Sequence, residues 1–221
     1  MPETIAEILS LSALFLSGLF AYRRMGRFFR IVYAQGLVWI AFYLLLFFLG
    51  RYCSEDGQPF QNQRLLNIHM LLECSLLMWA SLSRLKALWQ KSLVPALFLI
   101  FLCIYLLQGI TGGFGSYLNY ADVSECIALT LLYSMVLYNL LHQRRQHPGE
   151  TLPGLLLCSG LLLYFAGSVP YIALLHYMEK YSPGYNALLF DAISNGLAFI
   201  RYTLCALAFW QLRRSPLTLK T

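Results

Sequence analysis

Seven apolar stretches, each close to the length that crosses a bilayer, constrain this chain more than any other feature. They run over residues 4–22, 31–50, 65–82, 93–110, 120–141, 152–177 and 187–212. The hydrocarbon core of a membrane is about 30 Å thick and takes about 20 residues of helix to cross. Backbone groups cannot stay unpaired inside it, so runs of this length predict helices. The composition agrees: 59% of residues are apolar, 12% are charged, and mean hydropathy is +0.61. A soluble domain carries about 25% charged residues. Disordered chains, collagen-like chains and ordinary water-soluble enzymes are thereby excluded. The longest connection is 51–64 and nine residues follow Leu212, which leaves no room for a second domain. Residues 1–221 therefore read as one all-α domain, a polytopic membrane bundle of seven transmembrane helices.

The basic residues predict its orientation. Arg23, Arg24, Arg27, Arg30, Arg84, Lys86, Lys91, Arg144 and Arg145 lie in odd-numbered connections, and Arg213, Arg214 and Lys220 in the tail. Only Arg51, Arg64 and Lys180 lie in even-numbered connections, and Arg201 is inside the last span. Such an excess marks the cytoplasmic side, so the N-terminus is expected outside and the C-terminus in the cytoplasm. The first span starts with Glu3 and Glu7 rather than a basic segment, so it reads as a retained helix and not a cleaved signal peptide. The net charge of +6 is then a topology signal, spread over four short segments, and no nucleic-acid site is expected. The bilayer itself, with its anionic headgroups, is the expected partner, and a bacterial inner (plasma) membrane the expected location.

Tyr117, Tyr120, Tyr177, Tyr181 and Tyr185 fall near predicted outer ends, and Trp89 and Trp210 near inner ends, as interfacial anchors do. Cys74, Cys103, Cys126, Cys158 and Cys205 lie within spans and only Cys53 in a connection. With no CxxC, they read as small packing residues rather than a disulfide framework.

A shift of 118 residues lays the first three spans on the last three without a gap. Glu7 falls on Glu125, Gly36 on Gly154, Phe47 on Phe165, Glu73 on Asp191 and Arg27 on Arg145. Acid-on-acid matches carry weight because only Glu7, Glu73, Asp122, Glu125 and Asp191 are acids within spans. The pattern suggests a parallel 3+1+3 repeat. That plan resembles both SWEET-type sugar transporters and microbial rhodopsins, and by itself does not choose between transport and sensing.

Ionisable groups in a bilayer cost about 2.5–3.5 kcal/mol each on insertion scales and mark functional sites. His69 and Glu73 are i,i+4 neighbours in the third span, and Asp122 and Glu125 are i,i+3 neighbours in the fifth. Asp191 and Asn195 share a face of the seventh, with Ser194 beside them, and His176 lies near the outer end of the sixth. Tyr164, Ser168 and Tyr171 repeat at helical spacing and could line the same space. Together they predict an acidic vestibule in the outer half of the bundle that binds a small or ionic ligand. Interhelical hydrogen bonding alone would use the same residue types. A divalent metal on His69, Glu73, Asp122, Glu125, His176 and Asp191 is the weaker reading, since neither HExxH nor HxxxH occurs. Carboxylates crowded in low dielectric tend to keep a proton, which makes proton coupling available.

Pro170 removes a backbone hydrogen bond in the sixth span, Gly167 admits a neighbouring helix, and Ser168 could satisfy the freed carbonyl, so Gly167 and Pro170 are hinge candidates. Arg201 is about 15 Å along the axis from Asp191. It is expected to snorkel toward the cytoplasm, with coupling through an inner polar network as the sharper alternative. The run from His142 to His147 reads as a solvated loop.

The last span has no Lys, so a retinal Schiff base is not available, and neither a P-loop, a GxSxG nor a dinucleotide fingerprint occurs. No cofactor is expected, and the balance is against an enzyme. The helix count and buried His and acids resemble the alkaline ceramidase and adiponectin-receptor-like zinc hydrolases, but the HxxxH of their last helix is missing. Asn67-Ile68-His69-Met70-Leu71-Leu72-Glu73, the stretch from Pro153 to the Leu-Tyr-Phe-Ala-Gly ending at Gly167, and the polar last span are similar to small seven-helix bacterial membrane proteins. They are similar also to the seven-helix sensing regions of bacterial sensor proteins. The resemblance implies a membrane sensor or ligand-binding protein that signals through a cytoplasmic or membrane partner. A small-solute or proton-coupled transporter, and a metal-dependent intramembrane lipid hydrolase, are the alternatives.

Overall fold

The computed structural model describes residues 2–52, 63–143, 148–181 and 191–214, with side chains described over 8–49, 63–142, 151–173 and 193–214. Among the described residues seven α-helices follow one another: α1 Pro2–Ala21, α2 Arg27–Tyr52, α3 Gln63–Leu82, α4 Leu88–Gly112, α5 Asn119–Gln143, α6 Pro148–Tyr181 and α7 Gly196–Arg214. A short 3₁₀ turn, Tyr22–Arg24, closes α1, and a π turn, Asp191–Asn195, leads into α7. Cys53, His147, residues 187–190 and Tyr185 lie outside the described residues, as do the side chains of Glu7, His176, Tyr177, Tyr181 and Asp191.

Six of these helices, α2 to α7, are long and apolar enough to cross a membrane. α1 has 20 residues, about 30 Å of helix, though the side chains of its first residues are not among those described. The chain is thus an all-α bundle of membrane type. Its exterior is apolar: Leu44, Phe47, Leu99, Leu107, Leu163 and Leu207 are all exposed. Its charged and amide side chains Gln35, Asn67, Glu73, Glu125 and Arg201 are buried. Water-soluble proteins bury charge this way only rarely.

Consecutive helices pack side by side, and α1 closes the ring against α7. α3 also reaches inward to touch α5, where the Tyr133 hydroxyl donates to the Leu77 carbonyl at 3.1 Å. Small residues permit the closest approaches, as they do generally between membrane helices. On α6, a Cβ at Gly160 would lie 3.2 Å from the Arg201 carbonyl oxygen, and one at Gly167 3.0 Å from the Leu197 side chain. Gly18 of α1 lies under the Tyr33 ring, whose hydroxyl donates back to the Phe15 carbonyl at 3.1 Å.

Most of the described basic residues gather at one end. Arg24 donates to the Arg213 carbonyl, the Arg84 guanidinium lies 5.3 Å from the Phe28 ring, and Arg213 lies 5.0 Å from the Phe20 ring. At the same end Asn139 of α5 donates to Gln90 at 3.0 Å, and the Gln90 side chain in turn accepts from the backbone at the start of α4. At the opposite end α4 stops at Gly113, whose φ of +80° suits glycine. Asn67 pins the link that follows: it donates to the Phe114 and Ser116 carbonyls at 3.2 and 2.8 Å and accepts from the Leu118 N–H at 3.4 Å.

Candidate functional site

Three helices bring one polar group each to the same depth. Glu73 is ten residues into α3 and Arg201 ten residues beyond Asp191, so both lie about 15 Å from the end opposite the basic one. Gln35 approaches from the basic end, eight residues (about 12 Å) into α2. In a core about 30 Å thick these depths coincide near the middle.

The three side chains are in contact. Arg201 Nη2 donates to Glu73 Oε1 at 2.5 Å and to Gln35 Oε1 at 3.0 Å, and Gln35 Nε2 donates to Glu73 Oε1 at 2.9 Å. The result is a closed triangle joining α2, α3 and α7. The Arg201 guanidinium also lies 4.6 Å from the centre of the Tyr164 ring and 5.2 Å from that of Phe165. Cation–π contacts of this kind strengthen on desolvation. Arg201 is 2% exposed, so it does not snorkel. A carboxylate and two aromatic faces inside the bundle offer more than the interface would.

His69 continues the cluster. Its Nδ1 is 3.7 Å from Glu73 Oε2, an electrostatic contact longer than a hydrogen bond. Its ring packs against those of Trp39 and Phe42, with centroids 4.5 and 5.4 Å away. His69 Nε2 and Trp39 Nε1 are buried with no hydrogen-bond partner among the described residues.

Above the triangle, on α5, stand Asp122 and Glu125. They lie three and six residues into the helix, about 4.5 and 9 Å deep. Glu125 interacts electrostatically with Glu73, Asp122 and Arg201, so the three acids form a descending series toward mid-membrane. Asp122 is held by the Tyr117 hydroxyl and by the Cys126 thiol, Sγ to Oδ1 being 3.6 Å. Glu125 is 2% exposed, and its Oε1 has no hydrogen-bond partner among the described residues. A bare buried carboxylate oxygen costs several kcal/mol. Of these three acids, Glu73 touches the Arg201 guanidinium, and Glu125 feels its charge from farther away.

The sequence-predicted residues are distributed unevenly around this centre. His69, Glu73, Glu125, Tyr164 and Arg201 converge, and Asp122 stands above them. Ser168 and Tyr171 are buried on α6, but the Ser168 hydroxyl donates to the Tyr164 carbonyl at 2.7 Å, not to the Ala166 carbonyl that Pro170 leaves free. α6 nevertheless runs unbroken from Pro148 to Tyr181. Asn195 is half-buried in the π turn. A π turn changes the helical period, so the face read from Asp191 and Asn195 down to Arg201 is not a single α-helical stripe. The described residues of this group form a packed centre, with Glu73 8% exposed. His176 and Asp191 have side chains outside the described residues. Among the described residues no group of three or more His, Cys, Asp or Glu is placed to hold a metal ion.

Two residues were missed in the sequence. Gln35 is 2% exposed and bridges both charges, and Asn67, 1% exposed, fixes the link above Asp122. The signal was present: each is an amide within an apolar span. No protein-family model, no curated protein and no solved structure matches the chain.

Proposed function

We propose that the chain is a multi-pass membrane sensor or ligand-binding protein that takes up a proton or a small cationic group at Asp122 and Glu125. The Glu73–Arg201–Gln35 triangle is the element that responds. The carrying observation is the bare, buried Glu125 oxygen beside an ion pair already complete in itself. A positive charge arriving there would compete for Glu73 and loosen its hold on Arg201, shifting α7 against α2 and α3. In this reading seven helices cross a bacterial inner membrane with the N-terminus outside. The basic end then faces the cytoplasm, where a signalling partner reads it.

The test is thermal unfolding of the purified protein across pH, and in sodium, potassium and tetramethylammonium chloride at fixed ionic strength. The wild type is expected to show a stability change with pH or with one cation, and Glu125→Gln to lose it. The same response in Glu125→Gln and in Asp122→Asn would remove the proposal.

Proton-coupled transport by a 3+1+3 bundle is the second reading. It is supported by the stepwise descent of Asp122, Glu125 and Glu73 from one end to mid-depth. It predicts dissipation of a pH gradient in proteoliposomes. A cation or proton response without any such flux favours sensing.

A further inference from the structure

Between α3 and α4, toward the basic end, runs a groove of about 400 Å³, within the size range of small-ligand sites. Its walls are Met78, Trp79 and Leu82 of α3 facing Val94 and Phe98 of α4, with Lys91 at its mouth. Trp79 is half exposed, so the groove opens on the side that faces lipid. Lys91 and Phe98 are seven residues apart on α4, and so are Leu82 and Ser75 on the antiparallel α3. The groove therefore descends about 10 Å from near the helix ends toward mid-membrane.

Its two ends differ chemically. The deep part is apolar, as an acyl chain requires. At the shallow end Lys91 supplies an ammonium group, and the Arg27 guanidinium sits 5.3 Å from the Trp79 ring. Pro95, which also lines the groove, removes the N–H that would pair with the Lys91 carbonyl. We infer that this groove is a binding site for an anionic membrane phospholipid, with one acyl chain between Trp79 and Phe98 and its phosphate between Lys91 and Arg27. The orientation suits the leaflet at the basic end, where the headgroup level coincides with the two cations. A zwitterionic lipid could fill the same apolar slot but would bring no net charge to them. Juxtamembrane cations gain about fivefold each in anionic-lipid affinity, so the pair gives a preference of about thirtyfold.

The experiment uses the full chain, delipidated in detergent and titrated with phosphatidylglycerol, phosphatidylcholine or inorganic phosphate. Native mass spectrometry reads bound lipid and thermal unfolding reads stabilisation. Phosphatidylglycerol is expected to bind about thirtyfold more tightly than phosphatidylcholine, and inorganic phosphate not to stabilise. Arg27→Gln with Lys91→Gln should abolish the preference while keeping the melting temperature in phosphatidylcholine. Ser75→Phe, which fills the groove and leaves both cations, should reduce retention of both lipids. Equal binding of the two lipids by the wild type would overturn the inference. So would an unchanged preference in the double variant, full retention by Ser75→Phe, or stabilisation by phosphate alone.

Discussion

Arg201→Gln isolates the ion pair at the centre of the bundle. The guanidinium it removes holds Glu73 at 2.5 Å and Gln35 at 3.0 Å. Two unit charges about 4 Å apart attract by about 4 kcal/mol at an effective dielectric constant of 20. Desolvation of both groups offsets much of that gain, so the pair as a whole is worth little. Breaking it from one side costs about 3–5 kcal/mol, because the other charge stays buried alone. At about 2–4 °C per kcal/mol for a chain of this size, Arg201→Gln should lower the melting temperature by about 6–20 °C. Glu73→Gln should do the same for the mirrored reason. The double variant leaves three amides able to bond to one another and should recover part of the loss, with a coupling energy toward the upper end of about 0.5–3 kcal/mol. Cys74, Cys126, Cys158 and Cys205 are buried and free while Cys103 is exposed, so in a Cys103→Ala background a thiol-reactive fluorophore reports exposure of the four buried thiols on unfolding in detergent. Strict additivity of the two single losses, or a shift below about 2 °C for either one, would refute a coupled pair.

Gly160→Leu should destabilise the bundle by about 1–3 kcal/mol, since its Cβ alone would stand 3.2 Å from the Arg201 carbonyl oxygen; an unchanged melting temperature would mean α6 and α7 pack elsewhere. Asn67→Ala should cost about 1–3 kcal/mol and raise proteolytic nicking of the link after Gly113 that it pins. Burial, and then the Asp122 carboxylate, hold the Tyr117 phenol well above its ordinary range. The folded chain binds that proton more tightly, so stability held up to about pH 10 falls as pH rises further, and Tyr117→Phe should flatten that alkaline loss in melting curves. The α7 window has a mean hydropathy of 1.2 against 2.4 for α4 and carries a charge at mid-depth, so Glu73→Ala should reduce its insertion. A C-terminal topology reporter measures this, and Arg201→Leu should restore it.

What the sequence reveals here is depth, and what it conceals is azimuth. Hydrophobic runs bounded by Gly, Pro and charge locate the helices, because a bilayer forces the backbone to satisfy itself along each run. Counting residues from the helix ends then places Glu73 and Arg201 about midway, and the acids of α5 above them. Which way each helix turns its polar face is set by packing, through contacts such as Gly160 against Arg201 and Gly167 against Leu197. Leu-rich helices look much alike around their circumference and encode this weakly. Arg201 shows the consequence. Along its own helix the nearest acid is too far away, which favours snorkelling; across the bundle Glu73 is in contact.

Gln35 completes the same reasoning. An uncharged amide costs less to insert than an acid, so it stands out less against an apolar run, yet it can serve both charges at once. Its oxygen accepts from Arg201 while its nitrogen donates to Glu73. Any lysine or acid at position 35 would repel one partner, and any apolar residue would leave hydrogen-bonding capacity unfilled on both. The triangle therefore ties together residues from three helices far apart in the chain. A change at any one corner must be felt at the other two, so α2, α3 and α7 are coupled through these side chains as well as through their packing.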